Sequence, residues 1–577
     1  MAKKKKEDSL SYLQMPLPSG SKYSKITKVA FGGLNKRHTL DSGYLSMEKN
    51  ISTNEYPHIT PSELKQEFKS YRHITSGTTI GMFAFDDFLI VLYYEERDYT
   101  IYVDYIKGKS GTTYTSVLKK FTKLENESDS DFDNRFREDV SLPRCAVQFN
   151  KYMQSEDIVN GEYVKKILIF PDKVSMDFEI TANNFAVSGL EVEIKTYDND
   201  TAPYLPPDTA SHNYYYKNTN AIAAKSEETL YGDAIYRWVD DETDSENSGW
   251  KISVPPTFPD IKYATVHLSR LFGVSDDCVY ASGFNDYTNW SLDTIDEYNE
   301  SNSWFSQTQS NTKAGGDFTG ITTFDGHIVC FKRDFMHEIY NTKNPFRLTD
   351  IYAEGAIDNR TIQDVDGKLI FVSEDDVKVY TGSNPRIIGY NLNLSQISYA
   401  VSGTDNRNYY LYCESDDDRK RIATRYLYVY DTFTDLWSEQ SVDGSVQSFA
   451  HNKNGMYMLC DGMVYKMDTD VYNHDWSFET DLITNKTVDI KHIKKLQMLV
   501  DVAQDANLKV YILYDDEEFN ESTSHLVYSS TRAGKYPIRV KPRKTANYGF
   551  KLHFEGTGYV KLCELEIFIE AGGDMYV

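Results

Sequence analysis

Cationic side chains are in short supply in this sequence. Lys and Arg number 62 against 87 Asp and Glu, which leaves a formal net charge of −25 over 577 residues. A protein that grips DNA or RNA through its phosphates needs a basic surface, so stable nucleic-acid binding is not the expected role. An acidic wall past which a polyanion slides without sticking is compatible with this charge, as is solubility alone. Cysteine is also sparse. Cys145, Cys278, Cys330, Cys413, Cys460 and Cys563 lie far apart and form no CxxC pair. They read as reduced, buried thiols and not as a disulfide framework or a zinc site. No stretch approaches the roughly 18 apolar residues of a membrane-spanning helix. The Lys3–Lys6 run is followed by no apolar core, so Met1–Leu10 does not read as a secretory leader. That run reads as a solvated start, with contact to an acidic neighbour or DNA as the other reading.

What the chain has in quantity is aromatic residues of two kinds: 45 Tyr and 29 Phe, beside 6 Trp and 16 Pro. Tyr and Phe favour pleated, half-buried surfaces, and Tyr keeps its hydroxyl wet while its ring is buried. The profile predicts many short strands. Met82-Phe83-Ala84-Phe85, an Asp86-Asp87 turn and Phe88 to Tyr94 predict a hairpin. Thr100 to Tyr105 predicts a strand, and Ser110 to Phe121 a short helix or a further strand. Lys166 to Phe170 and Leu190 to Thr196 also alternate as strands. Tyr197 to Asn220, rich in Asp, Pro, Asn and Tyr, reads as a long excursion and a candidate interaction insertion.

From His267 to about Asp470 a loose repeat recurs: a strand, a polar turn, then a large ring. Examples are Val279-Tyr280 to Trp290, Glu338-Ile339-Tyr340 to Phe346, and Tyr426–Tyr430 through Asp431 and Asp435 to Trp437. Ile235-Tyr236 to Trp250 fits less well, and Val464-Tyr465 to Trp476 closes the series. Hairpins capped by a ring packed between neighbouring sheets predict propeller blades. Residues 476–577 predict strands at Val488–Ile490, Lys495–Val502, Leu508–Tyr514, Ile538–Val540, Tyr548–Phe554 and Tyr559–Ile569, enough for an antiparallel sandwich. Arg532 to Lys544 in that region is locally basic. The expected fold is therefore all-β: an N-terminal arm over 1–25, an irregular β-propeller over 26–472 with an insertion at roughly 125–260, and a C-terminal β-sandwich over 473–577.

Motifs that would carry chemistry are missing. The acidic stretch from Glu125 places Asp129, Asp131 and Asp133 at the first, third and fifth positions of a calcium loop. Asn134 stands where the turn needs Gly, and Val140 where the bidentate Glu belongs, so the loop fails. The nearest approach to a sialidase Asp-box, Ser282 to Trp290, has Phe284 in place of Asp and its Trp one position late. There is no G-x-S-x-G elbow, Walker loop, HExxH or dinucleotide fingerprint. The twelve His are scattered, His337 among them, and Asp416-Asp417-Asp418-Arg419-Lys420-Arg421 reads as a solvated hairpin tip. The sequence expectation is that the chain is not an enzyme, with no catalytic, cofactor-binding or metal-binding residues and no cofactor.

Several ordered segments resemble the nozzle or tubular tail proteins of short-tailed bacteriophages, including their stabilisation and tail-hub proteins. They are Phe31-Gly32-Gly33-Leu34-Asn35, Asp41-Ser42-Gly43, Asn50 and Tyr56-Pro57. Next come Ser269-Arg270-Leu271-Phe272, Val279-Tyr280-Ala281-Ser282-Gly283 and Asn289-Trp290. Ile321 to Phe331, Leu369 to Ser373, Val379-Tyr380-Thr381-Gly382, Tyr409-Tyr410-Leu411, Val429-Tyr430-Asp431 to Trp437-Ser438 and Gly556-Thr557-Gly558 follow. The Arg often found after the Tyr-Pro pair is absent, Thr60-Pro61-Ser62 standing there, and residues 125–260 match poorly. The resemblance implies a homo-oligomer, a hexameric ring in the virion tail assembled in the host bacterial cytoplasm. Such a ring would sit below portal and adaptor, pass genomic DNA through its channel without sequence-specific binding, help retain and then eject the genome, and dock fibres or other tail proteins. The alternatives are a carbohydrate-binding or depolymerising propeller at a tail tip, and a kelch-like cytosolic adaptor.

Overall fold

In the computed structural model, residues 23–37, 41–72, 78–109, 111–153, 162–180, 184–192, 257–290, 303–308, 316–351, 353–394, 396–416, 423–487 and 489–571 are described, together with the backbone of short strands between 194 and 252. The fold is all-β: an irregular β-propeller with an insertion, followed by a C-terminal β-sandwich. The chain divides into two compact units, one comprising 74–362 and 382–384, the other 1–73, 363–381 and 385–577.

The first of these units holds four antiparallel four-stranded sheets, each a sequential meander of the blade type. Blade 1 runs Thr79–Phe85, Phe88–Glu95, Thr100–Lys107 and Thr112–Lys120. The expected hairpin turns at Asp86, whose φ of +46° suits the tolerance of Asp for left-handed backbone. Within the stretch read as a short helix or a further strand, Thr112–Lys120 is strand. Blade 2 is Cys145–Met153, Glu162–Phe170, Val174–Asp177 and Val187–Gly189. Blade 3 is Tyr263–His267, Arg270–Ser275, Cys278–Ala281 and Trp304–Gln307. Blade 4 is Phe318–Phe324, His327–Lys332, Met336–Ile339 and Thr349–Ile351.

The acidic stretch read against a calcium loop is helical, Asp129–Ser141. Ser128 caps it: its hydroxyl accepts from Asp131 N at 3.1 Å and donates to Asp131 Oδ2 at 2.6 Å. Asp129 and Asp131 lie in the first turn, where the helix dipole favours negative charge. Phe132, Phe136 and Val140, spaced four apart, bury one face against the core of blades 1 and 2, with Phe121 and Phe136 edge-to-face at 5.1 Å.

The insertion is narrower than the sequence implied. Residues 145–189 form a regular blade, and a separate sheet of Ile194–Tyr197, Tyr215–Asn218, Ile235–Val239 and Gly249–Ile252 follows it. The strand expected at Leu190–Thr196 is split, because Val187–Gly189 ends blade 2 and Ile194 starts the inserted sheet. Most of the Tyr197–Asn220 excursion, the Lys3–Lys6 run and most of the Asp416–Arg421 tip lie outside the described residues.

The second unit holds three more blades. Blade 5 is Gln363–Val365, Lys368–Val372, Val377–Tyr380 and Arg386–Ile387. Blade 6 is Ile397–Thr404, Asn408–Asp416, Ala423–Asp431 and Leu436–Gln440. Blade 7 takes Val446–Asn452, Gly455–Cys460 and Met463–Lys466, and is completed by Gln66–Ser70 from the other end of the sequence, with Met463 opposite Ser70. The unit also contains the sandwich. One sheet orders Tyr23–Lys28, Val560–Ala571, Lys491–Val502 and Gly534–Val540; the other orders Leu45–Lys49, Asp475–Thr480, Phe550–Thr557, Asn507–Tyr514 and His525–Ser530. Alternate residues of both sheets fill a common core that includes Trp476, Phe478, Val500, Ile512, Phe554 and Ile567.

Two boundaries therefore differ from the sequence reading. Tyr23–Lys28 and Leu45–Lys49 pair with C-terminal strands and not within the propeller expected from residue 26, because Ile26 and Leu45 have their apolar partners in the sandwich core. Trp476, read as the ring closing the repeat, is a sandwich core residue whose Nε1 donates to Gly558 O at 2.9 Å. At Phe346 and Trp437 the ring-capped repeat is as expected, and the side chain of Trp250 lies outside the described residues. Phe346, in the loop after the third strand of blade 4, meets Phe272 of blade 3 edge-to-face at 5.0 Å. Trp437 Nε1 donates to Ile388 O, just past the last strand of blade 5, at 2.8 Å.

Candidate functional site

The residues that carry the family resemblance are structural ties. A Cβ on Gly33 would lie 2.2 Å from Trp437 O, so only glycine lets Leu34 N donate to that carbonyl at 2.7 Å. Asp41 accepts from Thr484 N, Asn485 N and Lys486 N and from the Thr484 hydroxyl. Asp481 returns the tie, accepting from Ser42 and Gly43 backbone N–H groups and sitting 3.5 Å from the buried Lys28 ammonium. Asn50 accepts from Ser441 N and Oγ and donates to Asp475 O. In blade 6, Asp431 is fully buried and accepts from Arg407 and from Phe433 N, and the Tyr430 hydroxyl donates to Asp435. In blade 3, Ser282 Oγ accepts from Leu271 N and donates to Gly283 O, and Arg270 donates to Ser282 O. The imperfect Asp-box is thus a loop staple.

Two adjoining polar clefts lie in the second unit, where residues 49–72 run beside blades 6 and 7 and the connection into the sandwich. One, of about 380 Å3, is lined by Glu55, Glu63, Asp405 and Asp468 with Tyr410 and Tyr472. Each carboxylate is engaged. Glu55 accepts from the Tyr559 hydroxyl and the Lys561 ammonium, Glu63 from Thr469 N and Asp470 N, Asp405 from Asn408 and Tyr410, and Asp468 from Met456 N. Burial pushes the Glu55 carboxyl up, but Lys561 and Tyr559 outweigh it and hold it below the usual carboxylate range. A general acid needs the opposite shift. The second cleft, of about 400 Å3, shares Glu63 and is lined by Lys65, Arg72, Cys460 and His474 among others.

Carboxyls that are pushed up lie elsewhere. Glu48 is buried beside Glu439, and burial raises both. Lys36 answers them, 2.7 Å from Glu439 and 3.9 Å from the centre of the Tyr426 ring. Neither Glu48 nor Glu439 lines either cleft. The six cysteines are free thiols; burial raises every one, Cys145 and Cys460 to about 11. His337, read as needing no partner, stands within a blade 4 strand with Nδ1 3.0 Å from Asp350. Among the described residues no three His, Cys, Asp or Glu side chains converge as a metal site, and no helix is long and apolar enough to cross a membrane.

The sequence did not single out Lys65, Arg72 or His474. Their polar character is visible, but no spacing joins residue 65 to residue 474; only the closure of blade 7 by Gln66–Ser70 does so.

No family model and no curated protein matches the chain. Among solved structures it is similar to an exo-β-1,3-galactanase from Phanerochaete chrysosporium. That match has 10% identity and a TM-score of 0.20, and covers 60% of this chain and 98% of that one. A Pyrococcus horikoshii acylaminoacyl peptidase is similar at 8% identity and a TM-score of 0.26, covering 71% and 59%. A GH74 enzyme from Niastella koreensis is similar at 11% identity and a TM-score of 0.19, covering 78% and 81%. These neighbours are enzymes, which runs against the sequence expectation that the chain is not an enzyme; likeness at this level assigns the chain no reaction.

Proposed function

We propose that this chain is a subunit of a ring in the tail of a short-tailed bacteriophage, at the nozzle or hub. The observation that supports the reading is the ordered series of family-like segments from Phe31 to Gly558, together with the work those residues do. Gly33, Asp41, Asn50 and Trp437 fasten the segment from Gly33 to Asn50 to the last blades and to the sandwich. A subunit whose early strands are tied to its last ones suits a part that bears load while DNA moves past it. The net charge of −25 suits a bore that does not retain a polyanion. In this reading six copies close by heterologous contacts into a ring below portal and adaptor, and fibres or other tail proteins dock on the outside. Co-expression with an adaptor protein from the same genome tests this: a stoichiometric complex is expected, and separate elution of the two proteins at micromolar concentration argues against it.

A second reading is a carbohydrate-binding or depolymerising propeller at a tail tip. The specific observation in its favour is the cleft in which Tyr410 and Tyr472 stand beside four carboxylates. Release of reducing ends from host surface polysaccharide, lost in Asp405→Asn, would favour it over the ring.

A further inference from the structure

The cleft of about 400 Å3 has an uneven charge arrangement. Asp443, Asp461 and Asp475 are exposed at its rim, as are Lys49 and Arg72, where water screens them. The interior groups are Lys65 and His474. Lys65 Nζ donates to Ser441 O at 2.6 Å, and among the described residues it has no carboxylate partner. Both ring nitrogens of His474 are shielded from solvent and meet no hydrogen-bond partner. The remaining polar wall is used up: Asn50 is committed to Ser441 and Asp475 O, and Glu63 accepts from Thr469 N and Asp470 N. Cys460, close by, keeps its proton because burial raises the thiol to about 11. A buried ring with no hydrogen-bond partner is costly and marks the place of a missing one, and the Lys65 ammonium beside it has donors to spare after its one bond to Ser441 O. Here that partner has to accept hydrogen bonds and carry negative charge.

We propose that this cleft binds a small oxyanion, phosphate or the carboxylate of a monosaccharide-sized acid, between the Lys65 ammonium and the His474 ring. Its volume lies in the range of small-molecule sites and leaves room for a sugar-sized body behind the anionic group. The ligand supplies the counter-charge that Lys65 lacks and an acceptor for a His474 N–H. This inference stands independently of the tail-ring reading.

The free protein shows the expected penalty. Burial lowers Lys65 to about 8, and burial with the Lys65 charge lowers His474. An anion in the cleft reverses both shifts, so it binds best when both groups are protonated. Facing them are Lys49, Arg72, Glu63, Asp443, Asp461 and Asp475.

Thermal unfolding of the full chain with inorganic phosphate, glucuronate or glucose at matched ionic strength tests this. Phosphate or glucuronate is expected to raise Tm saturably at pH 6 and glucose is not; the stronger of the two acids names the source. Apparent affinity is expected to fall at least tenfold between pH 6 and pH 9. Lys65→Met and His474→Phe are each expected to weaken it at least tenfold. No saturable shift, a shift shared equally by both variants, or a response to glucose alone overturns the proposal. General stabilisation by phosphate excluded from the protein surface would appear unchanged in the variants and so counts against it. Should either variant fail to fold, the pH profile of the unmodified chain decides: a gain that is independent of pH overturns the site.

Discussion

Glu48 sits buried on the strand Leu45–Lys49 with one oxygen accepting from Glu439 N at 3.2 Å and the other meeting no donor. Burial, and after it the neighbouring Glu439 charge, pushes its carboxyl well above the usual range against the pull of Glu439 N–H and Lys36. The folded state therefore holds a proton here that the unfolded chain releases near pH 4.5. A raised carboxyl contributes stability below its unfolded pKa and loses that contribution as pH rises through the folded value. Glu48→Gln keeps the shape without the titration. It is expected to be at least about 1 kcal/mol more stable than the unmodified protein at alkaline pH, with the two converging below pH 4, as measured by urea denaturation across pH. A variant that loses stability at every pH would mean that the buried carboxylate is charged and paired. Little of this was legible beforehand. Glu48 lies in an alternating stretch where its neighbours Ser46 and Met47 are only half-buried, and the partner that buries it is almost 400 positions away.

Elements were read from the sequence wherever periodicity was local. The hairpin around Asp86, the ring-capped turns at Phe346 and Trp437, and five of the sandwich strands follow from alternation and turn residues close in sequence; of the strand expected at Val488–Ile490, Val488 lies outside the described residues and Asp489 and Ile490 only lead into Lys491–Val502. What failed was long-range pairing. Tyr23–Lys28 and Gln66–Ser70 carry ordinary strand patterns, and nothing in them says that one edges the sandwich sheet and the other closes blade 7. The helix Asp129–Ser141 was hidden because its acidic start was read for ligands and not for a cap. Ser128→Ala is expected to cost about 1 kcal/mol, seen as a lower urea midpoint with an unchanged slope. No change would mean that the Phe132, Phe136 and Val140 face alone holds the helix. The basic stretch Arg532–Lys544 forms the sandwich edge strand Gly534–Val540 and the turn after it, with Lys535 and Arg539 exposed. Charged residues on a free edge discourage pairing with another sheet.

At the scale of the whole chain, residues 23–72 and 475–571 belong to one structural unit joined through both sandwich sheets and blade 7. Removal of residues 1–72 is expected to open that unit. The Met463–Lys466 amides, which face Gln66–Ser70, should lose hydrogen-exchange protection, and a cooperative transition of unchanged midpoint would contradict the tie. The candidate clefts belong to the same joint, which explains why no motif announced them. The central claim, a ring subunit of a phage tail, is tested most directly by electron cryomicroscopy of the purified chain alone and with its adaptor. A closed six-fold ring with a continuous axial channel is predicted; particles that stay monomeric in both preparations would contradict it.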